Sequence, residues 1–156
     1  MKNISDFLCE SLNETWSKVQ ELYGDNSILY VTYNNGRYED PFADIPFEEF
    51  EEYDDIIHSA KKDKCPCKDI KLSGKDTYVE LHVSDLNGDF MHWVIIANSK
   101  NKFTTYVCTE NYELLTSFDT FDSAKCNKLM SLLDYLAESE LDEDNLADTD
   151  NKIKSI

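Results

Sequence analysis

Glycine is scarce in this chain, and so are proline, histidine and long apolar runs. Each shortage excludes something. The four glycines all fall at predicted turns or helix ends, which leaves no Gly-rich loop to cradle a phosphate. No apolar stretch approaches the roughly 20 residues that a membrane-spanning helix needs. Near the start, Asp6 and Glu10 interrupt any apolar run, so "MKNISDFLCE" does not read as a secretory signal. The five cysteines (Cys9, Cys65, Cys67, Cys108, Cys126) are an odd number without an export signal, and reduced thiols in the cytoplasm are the expectation. No Gly/Ser/Pro-rich linker and no internal repeat divides the sequence.

What is missing most locally is positive charge. The chain carries 32 acids against 15 bases, for a net charge of −17. Residues 38–57, "YEDPFADIPFEEFEEYDDII", hold nine carboxylates and no Lys or Arg: Glu39, Asp40, Asp44, Glu48, Glu49, Glu51, Glu52, Asp54 and Asp55. Residues 134–150 hold eight more and again no base: Asp134, Glu138, Glu140, Asp142, Glu143, Asp144, Asp148 and Asp150. These two blocks account for the whole net charge, because acids and bases balance elsewhere. Acidity spread evenly would speak only of solubility. Two blocks point to solvated faces or to sites for a basic partner.

At 156 residues, with 41% apolar and 12% aromatic side chains, the chain can bury one proper core. A first helix is predicted from about Ile4 to Tyr23, with a stripe of Ile4, Leu8, Leu12, Thr15, Val19 and Leu22 and a stop at Gly24. "SILYVTYNNGRYED" reads as a hairpin turning at Asn34-Asn35-Gly36. A second, acidic helix opens near Pro46 and runs to about Ala60. From Asp69 to Phe118 the pattern alternates with period two. "TYVELHVSDLNGDFMHWVIIA" predicts a hairpin around Asn87-Gly88, with Val83 opposite His92, Leu81 opposite Val94 and Val79 opposite Ile96. Phe90 to Ala97 is apolar on both faces, as a central strand should be. A last helix from about Asp122 to Glu138 is predicted to bury Cys126, Leu129, Met130, Leu133 and Leu136. The expected fold is α+β: a single domain over 1–138, mainly an antiparallel sheet of about five to six strands with an N-terminal, a middle acidic and a C-terminal helix. Residues 139–156 are expected to be an acidic, disordered tail.

Motifs for chemistry are few. Cys65 and Cys67 flank Pro66, with His58 seven residues before Cys65, and are the candidate metal ligands. C-x-C without a second pair is a weak zinc signature, since structural zinc wants four ligands and usually C-x₂-C spacing. A tight proline turn with two thiols explains the same residues. "DLNGDF" fails as a calcium loop: counted from Asp85, Gly88 falls at position four where the loop needs its Gly at six, and Ile96 stands at twelve where it needs Glu. His82 and His92 fall on opposite faces of the predicted hairpin and cannot act together there. The carboxylates at 48–55 are too many and too alike in setting for a tuned acid/base pair. No enzyme and no cofactor is expected. Direct nucleic-acid binding is disfavoured too: Lys61, Lys62, Lys64 and Lys68 form one basic patch beside a strongly acidic segment.

Glu48 to Asp55 would place six carboxylates on one short helix, one charge per ~2 Å of axis. Double-stranded DNA presents about one charge per 1.7 Å. A helix of this density, with Glu39, Asp40 and Asp44 just upstream, could occupy the basic groove of a DNA-binding enzyme. The N-terminus adds a second sign. Met1, Lys2, Asp6, Phe7, Leu8 and Glu10 stand where the capsid-targeting leaders of internal head proteins of T-even-type bacteriophages carry Met-Lys, an acid, Phe, an aliphatic residue and Glu. Residues 1–10 thus resemble such a leader, and the resemblance implies cleavage after Glu10 in Leu8-Cys9-Glu10, packaging in the virion and injection into the host. The expected function is a non-enzymatic, phage-type inhibitor of a basic, nucleic-acid-handling host factor, acting in the host cytoplasm through Glu39 to Asp55. An immunity protein for a basic toxin, or a small thiol- or metal-dependent enzyme using Cys65, Cys67 and His58, are the alternatives.

Overall fold

The computed structural model describes residues 30–33, 65–73, 76–85 and 90–156. The predicted helices at 4–23 and 46–60, and the second arm of the predicted first hairpin, lie outside these residues.

Period-two patterning becomes a sheet. Strands β1 (Tyr30–Tyr33), β2 (Thr77–Ser84), β3 (Met91–Ser99), β4 (Lys102–Thr109) and β5 (Leu114–Asp119) lie side by side in chain order. β2 to β5 are antiparallel to one another. The β2–β3 register is the predicted one: Val83 faces His92, Leu81 faces Val94 and Val79 faces Ile96. β3 is the middle strand, and Val94, Ile95, Ile96 and Ala97 are all buried, so both of its faces are covered. β1 runs parallel to β2, with Tyr30 beside Glu80 and Tyr33 beside Val83. The α+β class, with an antiparallel sheet of at least these four strands, is therefore observed.

The β3–β4 turn is tight. Lys100 and Asn101 both take left-handed backbone angles, φ 53° and 61°, between the paired Ser99 and Lys102. Two left-handed residues in a row form the hairpin turn whose twist matches that of the flanking strands. Further on, β4 and β5 slip register between Val107 and Cys108, which sets an extra residue into β5 near Leu114.

Helix α1 (Ser123–Glu138) follows from its apolar stripe. Cys126, Leu129, Met130, Leu133 and Leu136 recur at helical spacing, and all are buried. Asp122 caps it by accepting a hydrogen bond from the Lys125 amide. α1 packs against β2.

The chain beyond α1 corrects the sequence expectation. Residues 139–156 are not a disordered tail: Glu143–Lys154 forms a second helix, α2, packed against β5. Its start is closed by a capping box. Asp142 accepts from the Asp144 and Asn145 amides at 3.0 and 3.1 Å, and the Asn145 side chain accepts from the Asp142 amide at 3.0 Å. Glu143 and Asp144 sit in the first turn, Lys152 and Lys154 in the last, an arrangement that complements the helix dipole at both ends. Leu141, Thr149 and Ile153 are buried. Burying Leu141 and Ile153 contributes about 1.5–3 kcal/mol each. Composition concealed this, because the segment's charge outweighs its few apolar residues in any average.

Candidate functional site

Eight carboxylates in the second acidic block divide into two kinds. Asp142 and Asp150 are occupied with holding the structure. Asp150 Oδ1 lies 2.8 Å from His92 Nε2, and the side chains are 22% and 3% exposed. A carboxylate oxygen only accepts, so Nε2 carries the hydrogen in this contact. His92 sits on β3, so the bond ties α2 to the middle of the sheet. A second tie joins the same parts: buried Asp85, just after β2, accepts a long hydrogen bond of 3.4 Å from the Leu141 amide through Oδ2. Its Oδ1 accepts from the Phe90 amide at 3.5 Å, and its own amide donates to the Phe90 carbonyl. One aspartate thereby closes the β2–β3 turn and anchors the approach to α2.

Asp134, on α1, is half-buried, and the other five face water. Glu138, Glu140, Glu143, Asp144 and Asp148 are exposed. They stand on or beside a helix about 18 Å long at 1.5 Å per residue. A rigid support matters for recognition, because a partner then pays no ordering entropy for these charges. Next to them, a cleft of about 160 Å³ is lined by Phe90, Met91, Leu146, Glu110, Glu113 and Asp150, among others. Its walls are apolar and its charges negative.

The two histidines separated by the sequence register stay separated. His92 faces Asp150, whereas His82 lies on the opposite face of the sheet and stacks on Trp93 with ring centroids 4.8 Å apart. Trp93 in turn stacks on Tyr112 at 5.3 Å. His82 Nε2 donates to the Met91 sulfur at 2.7 Å. Tyr112 holds a left-handed φ of 62° at the β4–β5 turn, where the stacking supports it.

Of the candidate metal ligands, Cys65 and Cys67 are described, and His58 lies outside the described residues. Both cysteines line one open cleft of about 430 Å³ together with Lys68, Ile70, Lys71 and Leu72. Cys67 is buried against Cys108 of β4, and neither is in a disulfide. Burial pushes the Cys108 thiol well above its ordinary 9.0, with the charge of nearby Cys67 and a hydrogen bond to it acting in the same direction. Tyr106, two residues earlier on the same face, is also raised above 10.0, first by burial. Among the described residues, no group of three or more His, Cys, Asp or Glu side chains is placed to hold a metal ion.

Glu39, Asp40, Asp44, Glu48, Glu49, Glu51, Glu52, Asp54 and Asp55, and the proposed processing residues Leu8 and Glu10, lie outside the described residues. The sequence reading missed the His92–Asp150 bond, the Asp85 anchor and the Cys67–Cys108 contact, each of which joins residues far apart in the chain. The Asp142-x-x-Asn145 cap was the one local sign of α2. Among the described residues, no helix is long and apolar enough to cross a membrane. No family model matches this chain, and neither a curated protein nor a solved structure matches it.

Proposed function

We propose that this is a non-enzymatic, phage-type acidic protein that binds and inhibits a basic host factor concerned with nucleic acid or defence. Carboxylates take the place of DNA phosphates in the partner's basic groove. Glu39, Asp40, Asp44, Glu48, Glu49, Glu51, Glu52, Asp54 and Asp55 form the principal contact. Exposed acids on and beside α2 extend it, and the protein acts in the host cytoplasm after delivery with the virion. The partner is a protein; neither nucleic acid nor membrane is bound directly.

One observation carries the reading. The net charge of −17 is confined to two blocks, and one of them presents exposed acids from a capped, docked helix. A disordered acidic tail would favour encounter by its field alone; a fixed array of charges can also match a fixed array of Lys and Arg. The leader resemblance at residues 1–10 supports the phage setting.

Capture from a bacterial lysate tests this directly. The immobilised protein is expected to retain a basic, nucleic-acid-binding protein that is released by rising salt and by added duplex DNA. Capture of no such protein, or capture indifferent to both salt and duplex, overturns the proposal.

A further inference from the structure

The Cys65-Pro66-Cys67 turn holds chemistry that the acidic surface leaves unused. Cys67 is fully buried, Cys65 is half-buried, and both line the same open cleft. Behind them stands Cys108, also fully buried and hydrogen-bonded to Cys67. Burial above all, and the neighbouring Cys67 after it, hold the Cys108 thiol in its protonated form. The three thiols are therefore unequal. Cys65 can be reached from the cleft, Cys67 lies next to it in the same wall, and Cys108 keeps its proton. Lys68 and Lys71, both exposed, line that cleft and bring two positive charges to it against the single negative charge of neighbouring Asp69, on a chain whose net charge is −17.

We propose that Cys65 and Cys67 form a thiol–disulfide exchange site for an anionic small-molecule disulfide of the glutathione type. The Cys65 thiolate attacks one sulfur of the small disulfide. That S–S bond breaks, a mixed disulfide forms on Cys65, and the first small thiolate leaves and takes up a proton. Cys67 then attacks the Cys65 sulfur, the second small thiolate leaves with a proton, and a Cys65–Cys67 disulfide remains. Two protein thiols are oxidised and one small disulfide is reduced to two thiols. Lys68 and Lys71 draw the anionic reagent in. Cys108 is a positioning residue, holding Cys67 from below by its hydrogen bond. Only one residue separates the bonded cysteines, which strains the ring, and strained, accessible disulfides are the readily reversed ones.

The reduced full-length protein, treated with oxidised glutathione and mapped by mass spectrometry without reduction, provides the test. The parent is expected to show a linked Cys65–Cys67 peptide and to release two glutathiones per chain. Cys67→Ser should stall with one glutathione on Cys65, and Lys68→Gln with Lys71→Gln should slow the exchange severalfold. Cystamine, a cationic disulfide, should react severalfold more slowly than oxidised glutathione with the parent. A persistent Cys65 adduct in the parent, a link through Cys108 or Cys126, or equal rates for the two reagents overturns the proposal. Mapping on the parent is independent of how any variant folds.

Discussion

Two consecutive helices serve the same sheet and are held to it by different forces. α1 is fastened by area: five apolar side chains at helical spacing vanish into the core. α2 is fastened at points. It buries Ile153 and, just before its start, Leu141, and it adds a capping box, the His92–Asp150 bond and the Asp85 anchor. Apolar burial is undirected and tolerates rotation of the helix. Point contacts fix which face of α2 turns outward. The difference has a consequence for function, because a helix oriented by a few polar contacts can leave the remainder of its surface acidic. The charges of α1 are mixed in sign, Lys125 and Lys128 with Asp134 and Glu138.

The comparison can be broken in a graded series. Deleting residues 139–156 removes the burial of Leu141 and Ile153 and should lower stability by about 3–6 kcal/mol. Urea unfolding would measure it. A change below about 1 kcal/mol would mean that α2 is not docked. Leu133→Ala, at the centre of the α1 stripe, should cost about 2–5 kcal/mol in the same assay, the range for a buried Leu that leaves a cavity. Asp150→Asn should cost about 1–2 kcal/mol, as it weakens the partner of a buried histidine. Its effect should be confined to α2, seen as faster amide exchange over 143–154 with β3 unchanged. Asp142→Ala removes the acceptor for two helix amides and should cost about 1 kcal/mol. Equal loss from removing the Asp122 acceptor of α1 would show that both helices depend on their caps alike.

How much of this was readable beforehand follows from the same distinction. The β2–β3 register was legible because Asn87-Gly88 sets the turn and alternation sets the faces. The α1 stripe was legible for the same local reason. α2 was hidden, because its docking contacts reach back 56 and 58 residues, to Asp85 and His92. Asp142 and Asp150 were counted as surface charge when each in fact has a structural partner. The parallel β1–β2 pairing was hidden as well. A turn signal at Asn34-Asn35-Gly36 speaks only of neighbours, whereas Tyr30 pairs with Glu80. Cys108 gave no sign of its closeness to Cys67 for the same reason. The outward acids of the second block were legible as charge but not as a fixed surface.

That surface can be separated from the fold by choosing acids with no structural task. Glu143 and Asp144 favour the α2 dipole, and Asp142 and Asp150 hold the helix in place, so all four are poor choices. Glu138, Glu140 and Asp148 are exposed, and Glu138 sits at the C-terminal end of α1, where a negative charge opposes the dipole. Glu138→Gln, Glu140→Gln and Asp148→Asn together should therefore leave stability unchanged or slightly raised. The most direct measurement is capture of the basic host protein across a salt series by three chains: the parent, this triple variant, and one carrying Glu48→Gln, Glu49→Gln, Glu51→Gln and Glu52→Gln. Both variants should bind more weakly than the parent, with a flatter dependence on salt because fewer ion pairs form, and the loss should be larger for the 48–52 changes. Capture by both variants at the parent's level and with the parent's salt dependence would contradict the acidic-surface proposal.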